Sequence, residues 1–161
     1  MKTPAYLAIG ALAALSAVNT ASAQTATQTV TFQVTAINQV AVTGTPSLVI
    51  NTAVAGSAPT SVTSSGNTWS VTTNQTGASI TASIPTAMPA GLTLSANLTA
   101  PSGATSTGLT AIGTTAVNVV TGITKLNASG LALSYQLDAT AAAGVVGSAT
   151  RVVTYTITGG V

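Results

Sequence analysis

The chain has no cysteine, no histidine and no glutamate, and among its 161 residues Asp138 is the one carboxylate side chain. Each absence removes a class of chemistry. Without Cys or His there is no Ser–His or Cys–His nucleophile and no soft-ligand metal centre. With one carboxylate there is no acid–base carboxylate pair and no hard-cation cage. A Ser–Lys arrangement needs a buried lysine beside a nucleophile, and Lys125 sits in Thr124-Lys125-Leu126-Asn127, which carries no such motif. The expectation is a protein that is not an enzyme and uses no cofactor or metal. Asp138 falls on the polar side of its alternating run and reads as a solvated surface group.

Charge is equally scarce. From Gln24 onward the side chains charged at neutral pH are Lys125, Arg151 and Asp138. The high sequence pI of about 9.4 reflects how few groups titrate, not a basic surface. No basic patch exists to release counterions from a phosphate backbone, so nucleic acid is not an expected partner. A polybasic membrane footprint is missing too.

The start of the sequence reads as a targeting signal. Lys2 supplies a charged n-region, Ala5 to Val18 an apolar h-region, and Ala21-Ser22-Ala23 a small-residue cleavage site, with Gln24 as the new N-terminus. The apolar stretch of about 14 residues is shorter than the roughly 20 a spanning helix needs. No second apolar run and no lipidation motif follow. The expected product is secreted, extracellular or on the cell surface, without a transmembrane anchor. Its domain organisation is a signal peptide over 1–23 and one domain over 24–161.

What is abundant is threonine. Thirty of the residues from Gln24 on are Thr, whose branched Cβ suits a pleated surface. Period-two alternation is the dominant pattern. Val30, Phe32, Val34 and Ala36 point one way, with Val40 and Val42 extending the run past an expected bend at Asn38-Gln39. Further short strands are expected at Ser47–Asn51, Trp69–Thr73, Ile80–Ile84, Leu92–Leu98, Val117–Ile123, Leu131–Asp138 and Val153–Ile157. Ala53 to Gly66 and Pro101 to Gly113 read as loops. Asn74-Gln75-Thr76-Gly77 reads as a hairpin turn, and Ala139 to Ser148 as a connection with one helical turn at the alanines. The fold class implied is all-β, an immunoglobulin-like antiparallel β-sandwich of about eight strands. An eight-stranded outer-membrane barrel also alternates, but it needs aromatic girdles that the four aromatics from Gln24 onward cannot make.

A carbohydrate-binding or adhesin-type module is the alternative function. Sugar stacking needs exposed aromatics. Phe32, Trp69, Tyr135 and Tyr155 all fall on apolar faces of their strands and read as core residues.

One internal similarity bears on function. Ala26–Thr35 reads ATQTVTFQVT and Ala149–Thr158 reads ATRVVTYTIT, identical at five of ten positions. The rows Val30-Phe32-Val34 and Val153-Tyr155-Ile157 are therefore nearly the same. Two strands of one domain facing one core explain this. Two strands fitting similar grooves explain it too, and then the segment 24–36 is a candidate exchange strand that fills an edge of another copy. Head-to-tail addition of that kind does not close, and gives filaments.

In this plan the chain resembles the pilin and surface-fibre subunits of bacteria, in which an N-terminal segment, here Thr27 to Ala36, acts as donor strand. The resemblance implies a structural role, with partners that are copies of the chain itself or other surface proteins. Two features depart from chaperone–usher pilins: there is no cysteine pair, and Gly159-Gly160-Val161 follows the last strand. A net charge near zero and edges with few charges to blunt them favour association. The leader reading has a direct test: the intact mass of secreted protein should correspond to a chain beginning at Gln24, and a product retaining Ala5–Val18 would refute it.

Overall fold

The computed structural model describes residues 22–160, and the leader read over 1–23 lies almost wholly outside them. The chain falls into two units, Met1–Gln33 and Val34–Val161. The described part of the first unit, residues 22–33, belongs to no strand or helix and is exposed throughout.

The second unit is all-β. Its strands, in chain order, are β1 (Asn38–Thr43), β2 (Val62–Thr73), β3 (Ala78–Ser83), β4 (Leu92–Leu98), β5 (Thr105–Ser106), β6 (Thr110–Ala111), β7 (Val117–Ile123), β8 (Leu126–Ala139) and β9 (Thr154–Thr158). One sheet runs β1-β2-β8-β4-β6 and the other β5-β7-β3-β9. Every pairing is antiparallel. Nine strands among the described residues stand where about eight were expected: the Pro101–Gly113 loop holds two short strands, and the strand expected at Ser47–Asn51 is absent.

Alternation explains why these sheets share a core. In β2 the odd positions Trp69, Val71 and Thr73 are buried; in β3 the even positions Ala78, Ile80 and Ala82 are. Val119, Val120 and Ile123 of β7 join from the β3 side, and Leu94, Ala96, Leu98, Leu133 and Tyr135 from the β2 side, in one apolar cluster. The expected hairpin at Asn74–Gly77 is corrected here. β2 and β3 are in different sheets, so these four residues cross from one sheet to the other. A hairpin would place both apolar faces on one side of one sheet, whereas the crossing lets them face each other.

A second crossing, at Thr124–Lys125 between β7 and β8, runs beside the first. The Lys125 amide donates to the Gln75 carbonyl at 2.9 Å, and the Gly77 amide donates to Thr124 Oγ1 at 3.1 Å. Lys125 takes φ 41°, the one left-handed non-glycine residue described. That is a strained position for a residue with a Cβ.

Three other expectations are corrected. Val30–Ala36 is not a strand: the chain first enters a ladder at Asn38, because Asn74 fixes the entry point. The Ile37 amide donates to Asn74 Oδ1 at 2.8 Å, and Asn74 Nδ2 donates to the Thr35 carbonyl at 2.7 Å. No bend interrupts Asn38-Gln39, which pair evenly with Thr73 and Thr72. Register shifts lie instead in β2 against β8, between Ser64 and Asn67 and between Trp69 and Val71, and in β3 against β7, between Ala78 and Ile80 and between Ile80 and Thr81. Ser47–Asn51 also forms no strand; it lies in the long β1–β2 connection, where Ala53 and Pro59 make an isolated bridge. The helical turn expected at the alanines is present as a 3₁₀ turn, Ala141–Ala143.

Trp69 anchors the core. It is 1% exposed, and its indole Nε1 donates to the Thr99 carbonyl at 3.1 Å. Trp69→Ala removes the largest buried side chain and orphans that carbonyl. Urea unfolding should register a loss of about 3–5 kcal/mol, whereas a loss under about 1 kcal/mol would mean the core is not built around this ring.

Candidate functional site

The four strands at the ends of the two sheets differ in what they offer. β5 and β6 are two residues each, and Thr107 between them ties the segment down: its amide donates to the Val119 carbonyl at 3.1 Å and its hydroxyl bonds Thr110 Oγ1 at 2.9 Å. β1 and β9 are longer and carry no charge and no proline, the devices that usually blunt an edge.

β9 pairs with β3 along one side, with Ala82 opposite Tyr155 and Ile80 opposite Ile157. Its other side is the end of its sheet. Ile80 and Ala82 are fully buried, but Val153, Tyr155 and Ile157 are only partly so, packed against the core from its margin. β1 repeats this pattern. Val40 is half-buried and Val42 exposed, although their partners Val71 and Trp69 are core residues. An apolar margin therefore runs along both edge strands.

The sequence-predicted site residues divide accordingly. Val153, Tyr155 and Ile157 stand together on the β9 margin. Val30, Phe32 and Val34 are 71%, 89% and 77% exposed. Phe32, read from the sequence as a core aromatic, is the most exposed of the three. Its alternation is real, but no ladder or core in the described residues receives it, since the edge of β3 is filled by β9 and β1 starts four residues after Val34. Trp69 and Tyr135 lie in the core as read, and Tyr155 at its margin.

One polar contact joins the two sheets at this margin. Tyr155 Oη lies 3.0 Å from Tyr135 Oη, with Tyr155 on β9 and Tyr135 on β8. Burial raises the pKa of both phenols. For Tyr155 the hydrogen bond to Tyr135 raises it further; for Tyr135 the bond acts in the lowering direction but does not offset burial.

The charged side chains serve the framework. Asp138, expected on the open surface, is half-buried: it accepts from Gln136 Nε2 at 3.0 and 3.2 Å and from the Ser61 hydroxyl. Its place between β4 and β2 in a central strand explains the difference. Arg151 donates to the Ala87 carbonyl through Nε at 3.3 Å and Nη2 at 3.1 Å, and to the Thr150 carbonyl through Nη1 at 2.9 Å. Among the described residues no three metal-ligating side chains come together, and no helix is long and apolar enough to cross a membrane.

A cavity of about 820 Å³ was not foreseen. It is lined by Leu48, Ile50, Met88, Leu92, Leu137 and Val146 among others. Three connections far apart in sequence build it, so no local pattern announces it. Comparison with protein families, with curated proteins and with solved structures gives no match.

The tyrosine pair makes stability pH-dependent in one direction. An unfolded tyrosine ionises near pH 10, and both folded ones hold their protons to higher pH. Their contribution is thus intact below about pH 10 and is lost as pH rises above it, because the unfolded chain ionises first. The melting temperature should fall between about pH 9 and about pH 12. The double substitution Tyr135→Phe/Tyr155→Phe should flatten most of that fall; an unchanged slope would place its origin elsewhere.

Proposed function

We propose that the chain is a secreted, non-enzymatic surface-assembly subunit, an immunoglobulin-like β-sandwich whose copies join by strand addition. Thr27–Ala36 of one copy lies along the free side of β9 in the next. The observation that carries this reading is the exposure of Val30, Phe32 and Val34 in a segment outside every described strand. A contiguous apolar row left in water favours association, and burying each residue is worth roughly 1.5–3 kcal/mol.

The receiving edge has matching needs. β9 ends its sheet, with no ladder partner on its outer side among the described residues, and carries a partly covered row of Val153, Tyr155 and Ile157. An added strand supplies the ladder and sets Val, Phe and Val beside Val, Tyr and Ile, the aromatic and β-branched neighbours that pair well across strands. The near absence of charge removes repulsion between copies. Alternation also continues in phase from Val30 through Ala36 to Val40 and Val42, so one run of chain has the parity to serve a ladder in its own subunit and another in a neighbour.

Assembly and folding separate cleanly in the test. Phe32→Asp changes an exposed residue, so the subunit's own melting temperature should hold within the range of a surface substitution, about 0.5 kcal/mol. The same change buries an unpaired charge in the proposed contact and should abolish assembly. Size-exclusion chromatography with light scattering should find oligomers for the chain beginning at Gln24, monomers for Phe32→Asp, and folded monomers after deletion of Gln24–Ala36 that bind a peptide of those residues. A monomer at high concentration, with melting independent of dilution, refutes the reading. Unfolding on deletion would return the segment to its own domain.

A further inference from the structure

Strand addition by a segment that nearly copies β9 raises a problem of selection. The sequence Ala26–Thr35 matches Ala149–Thr158 closely enough to fit not only the free side of β9 but the place of β9 itself, beside β3. In that place Val30 stands for Val153, Phe32 for Tyr155 and Val34 for Ile157. β9 is not secured against such replacement by length: it has five residues and five ladder partners, and residues 144–153 before it belong to no helix or strand.

One atom distinguishes the two occupants at the centre of the row. Tyr155 carries the hydroxyl that meets Tyr135 Oη at 3.0 Å; Phe32 has the same ring without the oxygen. Tyr135 is 6% exposed and belongs to the opposite sheet, so its hydroxyl is satisfied across the core margin by whatever strand lies beside β3. Among the described residues no buried side-chain nitrogen or oxygen lacks a partner. Placing Phe32 there would remove the protein partner of the part-buried Tyr135 hydroxyl.

We infer that the Tyr135–Tyr155 hydroxyl pair is a specificity device: it reserves the edge of β3 for β9 and leaves the N-terminal segment the free side of β9 as its place. This rests on the strand-addition reading for the second clause only. The physical basis is an asymmetry. A site built to hydrogen-bond a hydroxyl rejects an analogue lacking it far more strongly than an apolar site rejects a missing methylene, because the buried partner is left unmet. The Ile157-to-Val34 difference, one methylene, adds little beside it. The device is also economical for a chain with almost no charge, since the usual means of marking one strand from another, opposed charges, is missing.

The absence of native cysteine allows a direct test by disulfide trapping in the chain beginning at Gln24. Thr81 of β3 lies opposite Thr156, and Gln33 aligns with Thr156. The pair Thr81→Cys/Thr156→Cys reports β9 in its own place; the pair Thr81→Cys/Gln33→Cys reports the N-terminal segment there, from the same or another copy. In the otherwise unchanged chain the first pair should cross-link and the second only marginally. Phe32→Tyr gives the segment the missing hydroxyl without touching the folded unit, and should raise the second cross-link about tenfold or more. Tyr135→Phe/Tyr155→Phe removes both oxygens and with them the preference, and should raise it similarly. A Gln33–Thr81 cross-link unmoved by either substitution overturns the inference. Light scattering on the same proteins without cysteines judges strand addition separately. Polymers whose cross-links ignore both substitutions keep strand addition and refute hydroxyl selection. A monomer whose cross-link responds keeps hydroxyl selection and refutes strand addition.

Discussion

The segment Asn74–Gly77 holds the rest of the structure in place. It carries the chain from one sheet to the other, and Gln75 and Gly77 fasten it to the neighbouring crossing at Thr124–Lys125, which runs the opposite way. That fastening sets β2 next to β8 and β3 next to β7 in the same stroke. Asn74 grips the main chain at Thr35 and Ile37 and so decides where β1 begins. The chain end is fitted against the same segment: a Cβ on Gly159 would meet the Gln75 side-chain amide, and one on Gly160 would collide with the Thr76 carbonyl oxygen. At Gly160 only a residue without a side chain passes. Four residues thus coordinate two sheets, the start of the first strand and the exit of the last.

From this node outward, composition sets the character of the edges. A two-sheet core with almost no charged residues has little with which to protect its margins, and the structure leaves Val40, Val42, Val153, Tyr155 and Ile157 incompletely covered along β1 and β9. The opposite margin is managed by short strands and by Thr107 instead. The proposed assembly uses the margin at which β1 and β9 end their sheets.

The strands with clear boundaries were legible in the sequence. Val117–Ile123 and Leu92–Leu98 stand as read, and the helical turn among Ala141–Ala143 fell within the small-residue connection expected to hold it. What escaped was information that local pattern does not contain. Asn74–Gly77 looks the same whether it closes a hairpin or crosses between sheets, because the choice depends on where the second strand finds its partner. Val30–Ala36 has the alternation of a strand but no ladder in the described residues, and alternation reports fitness for pairing, not pairing. Asp138 was read from its parity as solvated, yet parity could not reveal that Ser61, from the segment before β2, would come to lie against it. On the site, the β9 row was visible as a row. That its margin is open, and that one hydroxyl separates it from its N-terminal twin at its centre, required the second sheet.

The position of β9 has a further consequence, for the order of folding. Every other described strand precedes it, yet it covers the outer side of β3 across a gap of more than seventy residues. Such non-local pairing is slow to form, since loop closure must come before any contact rewards it. Until β9 pairs, one side of β3 has no ladder partner, so the last strand of the chain completes the sheet that buries Ile80 and Ala82.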